Sequence, residues 1–153
     1  MKTKVLILFL FMSMPVLVNA QAIDDEIKLI QTAFGMEKRA MIEEYMGLPS
    51  TSPFWPAYEN YEKERRALMK ERIMIINEYL EKFDGLTDAD ADAIALKAIK
   101  NNTSLNALQS KHYKNMKKVI SATEAAKFLQ IENYIQSTIL LAISESLPFL
   151  GEK

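Results

Sequence analysis

His112 is the sole histidine of the chain and cysteine is absent, so any proton relay or metal chemistry would have to run through one imidazole. Met116 lies four residues on, and at helical spacing the two side chains offer a pair of soft donors of the kind nickel or copper accepts. Two ligands are too few for a site, and a hydrogen-bonded core histidine is the ordinary reading, so no metal is assigned. The glycines Gly35, Gly47, Gly85 and Gly151 are too scattered to cradle a phosphate. The acidic residues fall mainly on polar helix faces, which leaves a paired-carboxylate hydrolase without an evident centre. The chain therefore reads as a non-enzyme with no cofactor.

Charge in unexpected places is more informative. Lys97, Lys100, Lys111, Lys114 and Lys118 recur at helical spacings, and no acidic residue occurs between the first and the last. On a helix they share one face, with Ile94, Leu105, Leu108, His112, Met116 and Val119 turned away from it. Such a face is either simply solvated or an electrostatic surface that captures acidic or partly unfolded proteins and weakens with salt. The four aspartates between Asp84 and Asp92 also permit antiparallel pairing with a second copy through these basic residues. A second anomaly is Arg65 and Arg72, which project from an apolar stripe running Phe54, Tyr58, Tyr61, Leu68, Met69, Ile76, Tyr79 and Phe83. A guanidinium there must meet a carboxylate, reach water, or face a binding surface. Glu43, Glu44, Glu124 and Glu132 are the candidate partners for the first case. In the last case Tyr58 and Tyr61 join the arginines in stacking on and hydrogen-bonding to a client.

These residues must be carried by helices. No stretch shows the sustained alternation of a half-buried strand, and 49% hydrophobic with 25% charged residues suits a folded chain. At 153 residues one domain is expected. Segment one runs over about 22–46, with Ile23, Ile27, Ile30, Phe34, Met41 and Tyr45 on one face, and Gly47 and Pro49 end it. Segment two opens with Ser52 as N-cap and Pro53 in first position and runs to about Phe83. Segment three opens at Thr87, with Asp88, Asp90 and Asp92 at its electropositive end, and runs to about Val119. Its Asn101-Asn102-Thr103-Ser104 stretch has low helix propensity, and continuity there is left open. Segment four opens at a Ser121/Glu124 capping box and reaches about Ser146. The fold class expected is all-α: four helices, with a long hairpin of segments two and three. Trp55, between Pro53 and Pro56, reads as a wedge at the hairpin end. The run from Ile139 to Ile143 is apolar all round and calls for two neighbours or a second subunit, so a homodimer is expected.

The first twenty residues carry an export address. Lys2 and Lys4 precede an apolar stretch from Val5 to Val18, and Val18-Asn19-Ala20 has the form a signal peptidase reads. The stretch is shorter than the roughly 20 residues of a membrane-spanning helix. Cleavage after Ala20, a single helical domain over 21–153 and a periplasmic location are expected, with no nucleic-acid partner.

Two helix starts carry a further likeness. Leu86-Thr87-Asp88-Ala89-Asp90 and Ile120-Ser121-Ala122-Thr123-Glu124 resemble the Leu-Thr-x-x-Gln signature of the Spy/CpxP group of exported helical proteins, with an acid in place of Gln in both and Ile-Ser in place of Leu-Thr in the second. The resemblance implies a bent helical hairpin, pairing into a cradle-like dimer. It further implies one of three roles: an ATP-independent chaperone for unfolded or partly folded exported proteins, a regulatory partner of a membrane stress sensor, or a metal-responsive sensor.

Overall fold

The computed structural model describes residues 35–151, and the description below concerns those alone. The expected leader, its expected cleavage site and the N-terminal part of segment one fall outside them. Among the described residues there are four α-helices and no strand, an all-α fold. We label them α1 (residues 35–46), α2 (Phe54–Lys82), α3 (Asp88–Met116) and α4 (Ala122–Ser146), with a single 3-10 turn, Phe83–Gly85, after α2.

The boundaries follow local chemistry. Gly47 ends α1 in the left-handed conformation, φ 63°, which spares a Cβ the clash any other residue would meet, and its N–H donates to the Glu43 carbonyl at 3.0 Å. Ser52 opens α2: its hydroxyl accepts from Phe54 N–H at 3.3 Å and its carbonyl from Trp55 N–H at 3.1 Å, with Pro53 in helical conformation between. Thr87 caps α3 by accepting from Asp90 N–H at 3.2 Å. Ser121 and Glu124 form the reciprocal box at α4, each side chain accepting the other's backbone N–H at 3.1 Å.

Helix directions follow from which residues meet. Lys82 with Asp90, Lys97 with Glu78 and Lys111 with Glu64 run in opposite order along α2 and α3, so these two form the expected long antiparallel hairpin. Each holds 29 residues, about 43 Å at 1.5 Å per residue. Phe54 with Phe128, Tyr61 with Glu132 and Tyr79 with Pro148 place α4 parallel to α2. Lys38 with Glu132 and Met46 with Lys127 place α1 antiparallel to α4.

The α3 helix is continuous through Asn101–Ser104. Asn101 is buried because it completes the hairpin seam: its amide donates to the Leu68 carbonyl at 2.9 Å and its carbonyl accepts Arg72 Nε at 3.0 Å. Tertiary hydrogen bonding thus outweighs a weak helix propensity. The helix ends at Met116, three residues short of the expected stop, and Val119 lies exposed in the following turn.

The core is densest where all four helices meet. Phe54, Trp55, Tyr58, Tyr61 and Phe128 pack ring against ring, with centroids 4.9 to 6.1 Å apart, and Ile42, Met46, Met116 and Ala125 close around them. Trp55 is the wedge expected of it: Nε1 donates to the Pro49 carbonyl at 2.9 Å, and the Arg39 guanidinium lies 4.2 Å from the ring centre. The buried face of α1 differs from the expected one. Lys38, Ile42 and Met46 point inward, while Met41 and Tyr45 lie on the exposed flank. The inward stripe was masked in the sequence because a lysine occupies one of its three positions.

Candidate functional site

Two constellations of charge stand out, one buried and one exposed. In the buried one, Lys38 from α1 pairs with Glu62 of α2 and, at 2.6 Å, with Glu132 of α4. Arg65 of α2 reaches Glu132 at 3.2 Å and Glu62 at 3.9 Å. Tyr61 OH donates to Glu132 Oε1 at 2.7 Å and Gln136 Nε2 donates to the same oxygen at 3.0 Å. Two cations and two carboxylates thus neutralise one another among three helices. Burial pushes the Glu132 carboxyl up, but the charges of Lys38 and Arg65 with hydrogen bonds from Lys38 and Tyr61 outweigh it and hold the group below the usual carboxylate range. Burial likewise draws the Lys38 ammonium below its ordinary value, with Glu132 opposing. Burial, then the Glu132 charge, pushes the Tyr61 hydroxyl well above the usual tyrosine range. Tyr58 is pushed the same way by burial and by Glu62. Its hydroxyl is buried with no hydrogen-bond partner among the described residues.

These pairs tie α1, α2 and α4 to one another through their charges. They settle where four expected contact residues lie. Arg65, Tyr58 and Tyr61 are 3%, 3% and 1% exposed, built into the core, and Arg65 meets one of the acids named for it, Glu132. Arg72 is half-buried and turns instead to neutral amides, those of Asn101 and Asn102. Lys38, which completes the lock, carried no sequence signal of burial.

His112 is buried against Tyr61, ring centroids 5.3 Å apart and edge-on, with Nε2 3.2 Å from Glu64 Oε1. Met116 is fully buried one turn further on. No group of three or more metal-capable His, Cys, Asp or Glu side chains occurs among the described residues.

The exposed constellation is the outer face of α3. Lys97 pairs with Glu78 at 2.5 Å and Lys111 with Glu64 at 2.7 Å, both across the hairpin. These exposed pairs lie at the rim of the helix seam and contribute little stability. Lys100, Lys114 and, in the turn after α3, Lys118 are exposed and form no ion pair among the described residues. Between them and the Asp88–Asp92 end lie Leu96 and Ile99, 57% and 60% exposed. The sequence shows the lysines as a charge pattern, while the spacing of Leu96 and Ile99 places them on one face of the helix without showing that this face is exposed. In α4, Leu141 is 60% exposed while Ile139 and Ile143 are half-buried, so the all-round apolar run is covered only in part. No described helix is long and apolar enough to cross a membrane.

No known protein family, curated protein or solved structure matches the chain.

Proposed function

We propose that the protein is an ATP-independent, chaperone-like binding protein of the periplasm that holds unfolded or partly folded exported proteins on the outer face of α3. The observation that carries this reading is that this face exposes the apolar side chains Leu96 and Ile99 next to Lys100, with Lys114 further along the helix and Lys118 in the turn after it, none of the three lysines ion-paired among the described residues. Unfolded chains present apolar segments among mixed charges, and a rigid helix offering both kinds of contact attracts them by charge and retains them by apolar burial. The rigidity comes from the hairpin, whose inner seam is fixed by Asn101 and Arg72. The export address and the resemblance of its helix starts to the Spy/CpxP signature support the location and the role.

The test is suppression of aggregation of several chemically unrelated clients at near-stoichiometric ratio and without nucleotide. Protection of all of them supports the reading. Failure with every client, together with tight binding to the periplasmic part of one membrane sensor, would replace it with the regulatory-partner reading.

A further inference from the structure

Arg65 and Arg72 lie two helical turns apart on the same side of α2, yet only the first is neutralised. Arg65 meets the carboxylates of Glu62 and Glu132. Arg72 meets none: its Nε donates to the side-chain carbonyl of Asn101 at 3.0 Å and its Nη2 to that of Asn102. The adjacent acid, Glu71, turns to the Asn101 amide at 3.4 Å and forms no ion pair with Arg72. Neutral acceptors thus fix the guanidinium without cancelling its charge. Burial, then the charge of Arg65, draws the group below its ordinary value, and no carboxylate opposes them. The Nη1 nitrogen keeps both N–H groups free of partners among the described residues and in reach of solvent.

The surroundings add donors and apolar flanks. Asn102 is exposed, and with its carbonyl engaged by Arg72 its amide N–H groups remain unbonded among the described residues. Asn106, exposed and likewise unbonded, follows one turn along the same flank of α3, and Ile99, 60% exposed, precedes Asn102 by one turn. Gln109 meets Asn133 at 3.0 Å and sets the antiparallel register of α3 against α4. Two turns along each helix in opposite directions, that register brings Asn102 level with Leu140, which is 37% exposed. An oriented, uncompensated guanidinium beside amide donors selects a group that only accepts, and its planar fork matches a carboxylate. The apolar side chains disfavour a doubly charged, strongly hydrated phosphate there.

We propose that Arg72 and the amides of Asn102 and Asn106 form a subsite for the carboxylate of a glutamate or aspartate lying among apolar residues of an extended peptide, with Ile99 and Leu140 against its neighbours. The anion subsite follows from this geometry; that the peptide belongs to a captured client rests on the function proposed above. Ile99 is common to the subsite and to the outer face of α3, so one chain can engage both.

The probes are two end-blocked peptides of leucine and serine, one with a central glutamate and its twin with glutamine, titrated into the full chain while the Arg72 side-chain Nε–H resonance is followed by NMR. The glutamate peptide should move that resonance and bind about tenfold tighter than its twin, as charge-assisted pairing predicts. Arg72→Gln should make the twins equal, whereas Lys63→Gln, which removes the same charge from an exposed position on α2, should retain the preference. The proposal is overturned if neither peptide binds, if the twins bind alike, if the Arg72 resonance does not move, or if Lys63→Gln abolishes the preference as fully as Arg72→Gln. Should Arg72→Gln fail to fold, the resonance of the parent protein decides. Inorganic phosphate that displaces the glutamate peptide at an equal or lower concentration would assign the site to a phosphoryl anion and overturns it as well. A protein that binds the glutamate peptide at Arg72 but protects no aggregating client would retain the subsite and sink the capture reading; one that protects clients but binds the twins equally would do the reverse.

Discussion

Lys38 of α1 and Glu132 of α4 lie 2.6 Å apart with both side chains wholly withdrawn from solvent. An ion pair so placed contributes less to net stability than to register, because the cost of removing two charges from water offsets most of their attraction. Its effect is to penalise any packing of α1 on α2 and α4 that separates the two charges. Lys38→Met should therefore cost about 3 kcal/mol or more, since Glu62 and Glu132 would be left to share Arg65. Adding Glu132→Met should restore a large part of the loss. Urea unfolding of the two single variants and the double variant gives the coupling, and additive losses would contradict the lock.

Two neighbouring tyrosines should respond oppositely to loss of their hydroxyls. Tyr61 donates to an ionised carboxylate, and Tyr61→Phe should destabilise by about 1.5 to 3 kcal/mol. The Tyr58 hydroxyl is buried without a hydrogen bond among the described residues, so Tyr58→Phe should be neutral or stabilise by about 1 kcal/mol. Thermal unfolding of the pair decides it; equal losses would show that both hydroxyls are satisfied.

The pH dependence has a definite sign at each end. The Glu132 carboxyl is lowered in the fold, so the stability it contributes is present above the ordinary carboxylate value of about 4.3 and is lost as pH falls through the folded value. The Tyr58 and Tyr61 hydroxyls are raised, so their contribution is complete below about 10 and is lost as pH rises above it, when the unfolded chain ionises and the fold does not. Melting temperature against pH should show a plateau between about 5 and 9 with a fall on both sides. Lys38, drawn below its ordinary value of about 10.4, acts in the opposite sense but is complete once pH passes that value, so a protein that gained stability above about pH 11 would contradict the burial of these hydroxyls.

Arginines 65 and 72 occupy similar places in the sequence stripe and different places in the fold. Arg65→Ala strips a cation from two buried carboxylates and should cost about 3 to 5 kcal/mol. Arg72 bonds neutral amides in a half-buried seam, so Arg72→Ala should cost about 1 kcal/mol. Chemical denaturation of both variants checks the ratio, and equal costs would deny the distinction.

Much of this architecture was readable from residue types. Proline, glycine, serine and threonine act through local geometry, so the helix starts at Thr87 and Ser121 and the stop at Gly47 follow from a few adjacent residues. The inward turn of Lys38 was not readable: a lysine is buried only where two carboxylates from other helices converge on it, and that convergence is a property of tertiary packing. The same holds for Asn101, a poor helix former retained because Leu68 and Arg72 supply its partners. On α3 the lysines were visible as a charge pattern, while their separation into two paired with α2 and three left outward depended on the rotation of the helix. Tyr58 and Tyr61 were grouped with a binding surface because their spacing alone does not say whether a stripe faces core or solvent.

The capture surface is tested most directly by Lys100→Glu, Lys114→Glu and Lys118→Glu in one chain, measured as protection of an acidic, aggregation-prone client at low salt. Glutamate is about as good a helix former as lysine at positions 100 and 114, Lys118 lies in the turn after the helix, and all three are exposed, so circular dichroism should be unchanged. Protection should fall severalfold, and the parent's own protection should weaken toward physiological salt, where the screening length is about 8 Å. A triple variant that folds normally and protects the client as well as the parent would contradict the account, leaving the lysines of α3 a solvated face.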